Sequence, residues 1–250
     1  MHFFRSLTWV TITTALLVGA VACSGQDTPT NAIEKSTSIN KILPLGASRV
    51  QGDRPEYESF RYELWKDLVE QDWEFDFIGT MQDQASYQDF MGLEFDPDHE
   101  GRGGWTSGAI LYRLRGWLER TGAPDIVLFS SPGGNDALQG LEYAAAVENV
   151  REIVEVLQAE NPEVTILIEQ MAPGHSDIMN DELSQYFVAM QNEVADMAES
   201  MSTESSRVIA VDMHTGFSDE LLADDVHYNV AGAEFIASRY YEVLAGVLEK

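Results

Sequence analysis

The chain has 250 residues, 44% of them hydrophobic, which is enough to bury one full core, and no internal linker divides it. Its 42 Asp and Glu against 15 Lys and Arg give a formal net charge of −27, which excludes nucleic acid and anionic membrane or polysaccharide surfaces as partners by repulsion. The single cysteine, Cys23, excludes an intramolecular disulfide.

Residues 1–22 start weakly basic, continue through an apolar segment too short for a comfortable membrane span and end on small residues, the pattern of a signal peptide. Two endings compete. Ala20-Val-Ala22 fits ordinary signal cleavage, whereas Cys23 directly after it resembles the lipidated cysteine of a bacterial lipobox, with Ala20 where Leu is usual. The expected product is an exported chain, either lipidated at Cys23 and held at the cell envelope or secreted, with the lipid as its only membrane contact. Residues 23–39, polar and without apolar periodicity, read as a flexible tether, and the folded domain is expected over 40–250.

Ile42-Leu-Pro-Leu-Gly46 has the length and composition of a buried strand, and it breaks into the turn Ala47-Ser48-Arg-Val-Gln-Gly52. Ser48 has two readings there, as a helix cap or as a reactive group at a strand's carboxyl end. Helical spacing over 58–71 and alternation over 73–79 predict a helix and a second strand. Residues 80–104 predict a long irregular loop. In it Asp96, Asp98 and Glu100 offer the oxygen ligands a calcium ion takes, without the spacing of an EF-hand.

Thr106 or Ser107 caps a helix to about 121, and Pro124-Asp-Ile-Val-Leu-Phe-Ser130 is apolar without alternation, as in a strand buried on both faces. A second turn follows, Ser131-Pro-Gly-Gly-Asn135-Asp136. Helices over 141–159, 181–201 and 230–248 alternate with strands over 164–169 and 208–212. The expectation is an α/β fold, a three-layer α/β/α sandwich on a flavodoxin-like five-stranded parallel sheet of order 2-1-3-4-5. In that order strands 1 and 3 are neighbours, so Ser48 and Asn135 share one crevice.

A nucleophilic serine needs a base and donors aimed at the developing negative charge. His227 follows Asp224 by three residues, so that carboxylate can hold the imidazole in the tautomer that accepts the serine proton; Asp225 is the alternative. Asn135 can donate to an oxyanion, or simply serve its turn. The backbone N–H groups of Gly104 and Ser48 are further candidate donors.

Gly-x-Ser at the start, a glycine-rich loop, Gly-x-Asn-Asp after the third strand and Asp-x-x-His near the end resemble, in that order, the SGNH or GDSL-type hydrolase superfamily. The resemblance implies Ser48 as nucleophile, His227 as base, Asp224 as its orienting acid, and Ser48, Gly104 and Asn135 as the oxyanion hole. One departure is plain: the family's Gly-Asp-Ser is Gly46-Ala47-Ser48 here. Leu43-Pro-Leu-Gly, Tyr62-x-Leu-Trp65, Asp76-Phe-Ile-Gly79 and Asp98-His-Glu-Gly-Arg-Gly-Gly-Trp105 look most like the acetyl-xylan-esterase branch, carbohydrate esterase family 3. That implies an esterase removing O-acyl groups, above all O-acetyl, from polysaccharide or small carbohydrate esters, with no metal or organic cofactor. Trp105, Tyr228 and Tyr57 are candidate sugar platforms, although aromatics at such positions are more often simple packing. A lipase or aryl esterase on the same site and a non-catalytic carbohydrate-binding protein are the alternatives. Cys23→Ser is expected to release the chain from membranes, read by fractionation of cells expressing it; unchanged attachment would remove the lipid reading.

Overall fold

Every central strand is apolar on both sides, and helices cover both. The computed structural model describes residues 34–250. The expected signal peptide, Cys23 and most of the tether lie outside the described residues. Among the described residues, no helix is long and apolar enough to cross a membrane.

The strands are β1 (Lys41–Gly46), β2 (Asp76–Phe77), β3 (Met81–Gln82), β4 (Asp98–Gly101), β5 (Ile126–Phe129), β6 (Thr165–Gln170) and β7 (Arg207–Asp212). The helices are α1 (Ser48–Gln51), α2 (Arg61–Glu70), α3 (Ser107–Thr121), α4 (Gly134–Leu138), α5 (Tyr143–Glu160), α6 (Asp181–Ser200) and α7 (Val230–Leu244). Along β1 and β5 the side chains alternate between two cores, as a two-residue period requires. Ile42 and Leu128 meet Leu64 and Leu68 of α2 and Ile236 and Tyr240 of α7. Leu43, Leu45, Val127 and Phe129 meet Leu114 of α3, Ile153 of α5 and Val194 of α6. The result is the expected three-layer sandwich.

Taken alone, β2, β1, β5, β6 and β7 are parallel and stand in the predicted order 2-1-3-4-5. The full sheet is seven-stranded, ordered β3-β4-β1-β5-β6-β7 with β2 also on β1. The second strand is shorter than expected because β1 shares that edge. Asp76 and Phe77 pair with Lys41 and Ile42, whereas Glu100 and Gly101 of β4 pair with Leu45 and Gly46. The segment between them leaves the sheet and returns to it.

This corrects the reading of 80–104 as irregular. Its strand β4, Asp-His-Glu-Gly, has no apolar pattern because its buried polar groups are met one by one by partners from other segments, except His99 Nε2, which has no hydrogen-bond partner among the described residues. The Glu100 carboxylate accepts from the Thr80 N–H and hydroxyl, both at 2.9 Å, and pairs with Arg102. His99 Nδ1 accepts from the Gly101 N–H at 2.9 Å, and burial, with Arg61 and Arg102 nearby, lowers its pKa to about 2, so the ring is neutral. The calcium reading finds no support in the same contacts. Asp96 accepts from the Phe77 and Asp98 N–H groups, Asp98 from Gln82, and Glu100 from Thr80 and Arg102. Among the described residues no three His, Cys, Asp or Glu converge as a metal site.

The return of β4 depends on two glycines, because a Cβ at Gly79 would collide with the His99 carbonyl and one at Gly101 with the Gln51 backbone nitrogen. Gly79→Ala is therefore expected to cost about 3 kcal/mol of stability. By contrast Gly116→Ala, in open space within α3, is expected to add about 0.5–1 kcal/mol. Urea denaturation midpoints of the two variants check the pair.

Candidate active site

Ser48 is the first residue of α1, directly beyond the carboxyl end of β1, and the N-cap position belongs to Ala47, which makes no side-chain cap bond. The serine hydroxyl is therefore free of a capping role. Its Oγ lies 2.8 Å from His227 Nε2, and His227 Nδ1 lies 2.7 Å from Asp224 Oδ2. A carboxylate only accepts, so Nδ1 carries the hydrogen and the neutral ring presents its Nε2 lone pair to the serine.

Local sequence builds the histidine's half of the site. Asp224 Oδ1 accepts from the N–H of Val226 at 2.8 Å and of His227 at 2.7 Å, a turn that Asp forms readily with its own backbone. Burial works to raise the Asp224 carboxyl. Hydrogen bonds from the His227 ring and from both N–H groups outweigh it and hold the group below the ordinary carboxylate value. Asp225, the alternative partner, makes no side-chain hydrogen bond to the ring among the described residues, and its carbonyl accepts from the His175 N–H at 2.7 Å. The Tyr57 ring stacks on the imidazole, with centroids 3.9 Å apart and planes at 15°. Burial, with Asp53 and Asp224 nearby, raises the Tyr57 pKa, which keeps its hydroxyl protonated.

Across the serine lie the candidate donors. Asn135 is the second residue of α4; its Nδ2 donates to the Trp105 carbonyl at 2.8 Å, which leaves the other amide hydrogen available. Next to it, Asp136 is buried and accepts from the Ser107 N–H and hydroxyl at 2.8 and 2.7 Å, which fixes α4 against the start of α3. The glycine loop passes over the serine, since a Cβ at Gly103 would stand 3.9 Å from Ser48 Cβ. Gly103 gives its N–H to Gln51 Oε1 at 2.6 Å, while Gly104, at φ 76°, has its carbonyl bonded by Gln139 Nε2 at 3.0 Å. Among the described residues the Gly104 N–H has no hydrogen-bond partner.

All three aromatic candidates pack against other side chains. Tyr228 is wholly buried, with the Arg49 guanidinium 4.8 Å above its ring, so it presents no face to a sugar. Trp105 packs on Trp117 with centroids 5.5 Å apart and under Arg102, and it contributes its carbonyl to the site rather than its ring. Tyr57 has one face occupied by His227.

Arg49 and Glu169 are two buried charges beside the site that the sequence did not single out. Arg49 donates to the carbonyls of Val226, Ala172 and Pro173 at 2.8, 2.8 and 2.9 Å, tying the histidine loop to the segment after β6. Glu169, fully buried near the end of β6, accepts from Ser130 Oγ, the Ser131 N–H and the Tyr240 hydroxyl at 3.0, 2.7 and 2.8 Å. Burial raises its pKa, opposed by those bonds and by Arg49. The available signals were weak: a charge ending an otherwise apolar strand and an arginine beside the turn serine.

A serine, an imidazole and a carboxylate stand in line at the carboxyl edge of a parallel sheet, with an amide group opposite, on the α/β/α fold that many hydrolases use. The chain belongs to the GDSL-like lipase/acylhydrolase family, whose model matches residues 67–235, and it is a carboxylic ester hydrolase. The match begins after Ser48, so the departing Gly46-Ala47-Ser48 block is not within it.

A carbohydrate esterase family 3 structure from Talaromyces cellulolyticus is 26% identical, with a TM-score of 0.69 over 84% of this chain and 98% of that one. An acetyl esterase mutant with a bound acetate ion gives the same values. The family 3 carbohydrate esterase of Clostridium thermocellum, at 24% identity and a TM-score of 0.66 over 84% of this chain and 100% of that one, shares the fold. No curated protein sequence matches significantly.

Arg49→Met leaves three carbonyls without their donor, and is expected to cost about 3 kcal/mol in a denaturant titration.

Proposed function

We propose that the protein is a serine esterase that removes short O-acyl groups, acetyl included, from carbohydrate. The observation that carries this reading is the unbroken hydrogen-bond line from Ser48 through His227 to Asp224, at 2.8 and 2.7 Å. The carbohydrate part rests on the likeness to a carbohydrate esterase family 3 structure and to an acetyl esterase.

In the first half-reaction Ser48 Oγ bonds to the ester carbonyl carbon while His227 Nε2 takes the hydroxyl proton. The carbonyl π bond opens to an oxyanion, which receives hydrogen bonds from the N–H of Ser48 and Gly104 and from Asn135 Nδ2. Each such donor is worth about a hundredfold or more in rate when the site is preorganised. The oxyanion collapses, the bond to the sugar oxygen breaks, and the imidazolium returns its proton to that oxygen. An acyl-Ser48 and a free sugar hydroxyl result. Water then adds to the acyl carbon, His227 takes its proton, and the Ser48 oxygen leaves as the hydroxyl, releasing the carboxylic acid. Asp224 keeps its negative charge throughout and stabilises the imidazolium.

Wild-type protein is expected to release acetate from acetylated xylo-oligosaccharides, and Ser48→Ala to lose at least about a thousandfold of that rate with its circular dichroism unchanged. Ester hydrolysis that survives Ser48→Ala would remove the catalytic reading. Hydrolysis confined to non-sugar esters would remove the carbohydrate part alone.

A further inference from the structure

Ala47 occupies the family's Asp position, immediately before the reacting serine, and the structure gives it a place in the wall of a cavity. That cavity, of about 40 Å³, opens beside Ser48 and Asn135. Its other walls include Met171, Ile178, Met179, Leu183 and Phe187, from the segment after β6 and from α6. Met171 and Phe187 are 1% and 6% exposed, so this end is closed and apolar, while Leu138, 44% exposed, marks the open end.

One water-sized group needs roughly 10–15 Å³ measured in this way, so the space holds about three such groups. An acetyl ester would place a single methyl there. The neighbouring Arg49 already has its guanidinium bonded to three carbonyls and to the Ser131 hydroxyl. A carboxylate at 47, a half-buried position, would narrow the slot and set a charge beside its apolar lining, which disfavours an acyl chain there. A methyl there does neither.

From this we infer that the cavity is the acyl-binding slot, that it favours acyl groups of about three to four carbons over acetyl, and that Ala47 is a specificity-determining residue. The inference rests on Ser48 being the nucleophile of the proposed reaction, and it specifies the acyl half of the substrate.

The test uses the full chain with p-nitrophenyl acetate, propionate, butyrate and octanoate, each corrected for spontaneous hydrolysis. The expected kcat/KM rises about fourfold per added methylene from acetate to butyrate, the gain from burying one CH₂, and falls again at octanoate. Ala47→Asp and, separately, Leu183→Trp are each expected to lower the butyrate-to-acetate ratio at least about tenfold, a loss near 1.4 kcal/mol in discrimination. The second variant acts from α6 and carries the test if the first does not fold. Acetate as the fastest substrate, octanoate equal to butyrate, or a ratio unmoved by Leu183→Trp would each overturn the slot. Failure of the underlying reaction looks different: activity on all four esters would then survive Ser48→Ala.

Discussion

One guanidinium holds the two halves of the site in register. His227 and Ser48 are far apart in the chain, and a base 2.8 Å from its serine tolerates little movement of the loop that carries it. Arg49, the serine's neighbour in α1, reaches that loop at the Val226 carbonyl and the adjoining segment at Ala172 and Pro173. The residue that follows Ser48 thus fastens the residue that precedes His227. Arg suits this role because its planar fork donates in several fixed directions from one rigid group.

Beneath it the polar network is continuous. Arg49 lies over the Tyr228 ring, while Glu169 is bonded to Tyr240 and to the serines that end β5. Groups of this kind are costly to bury, and they persist where each bond has a partner. The network lies under the carboxyl ends of β1, β5 and β6, where an open α/β sheet places its chemistry. The floor of the site is thereby polar and fixed, while its side towards α6 is apolar.

Much of this was legible beforehand. Helices announced themselves by spacing: Thr106 does cap α3, accepting from the Ala109 N–H, and Asn135 does stand at a strand's carboxyl end. Asp224 and His227 are three residues apart, so their pairing needed only a turn. What failed was local in signal and distant in cause. The strand β4 carries no apolar period because its pairing with β1 and its satisfied polar groups come from elsewhere in the fold. Tyr228 sits beside His227 in sequence and offered both a sugar platform and a packing role, and only the fold buries it under Arg49.

By itself the sequence determined the element order, the parallel sheet and the four blocks that meet at its edge, because hydrophobic period and turn chemistry are written into neighbouring residues. Tertiary structure alone decided which polar groups are satisfied and therefore what each does. It joined Arg49 to two loops, divided one edge of β1 between β2 and β4, and released Ser48 from capping to face His227. It also placed Ala47 and apolar residues of α6 around one cavity. Such contacts cross long spans of chain, and no local pattern encodes the direction in which a side chain finds its partner.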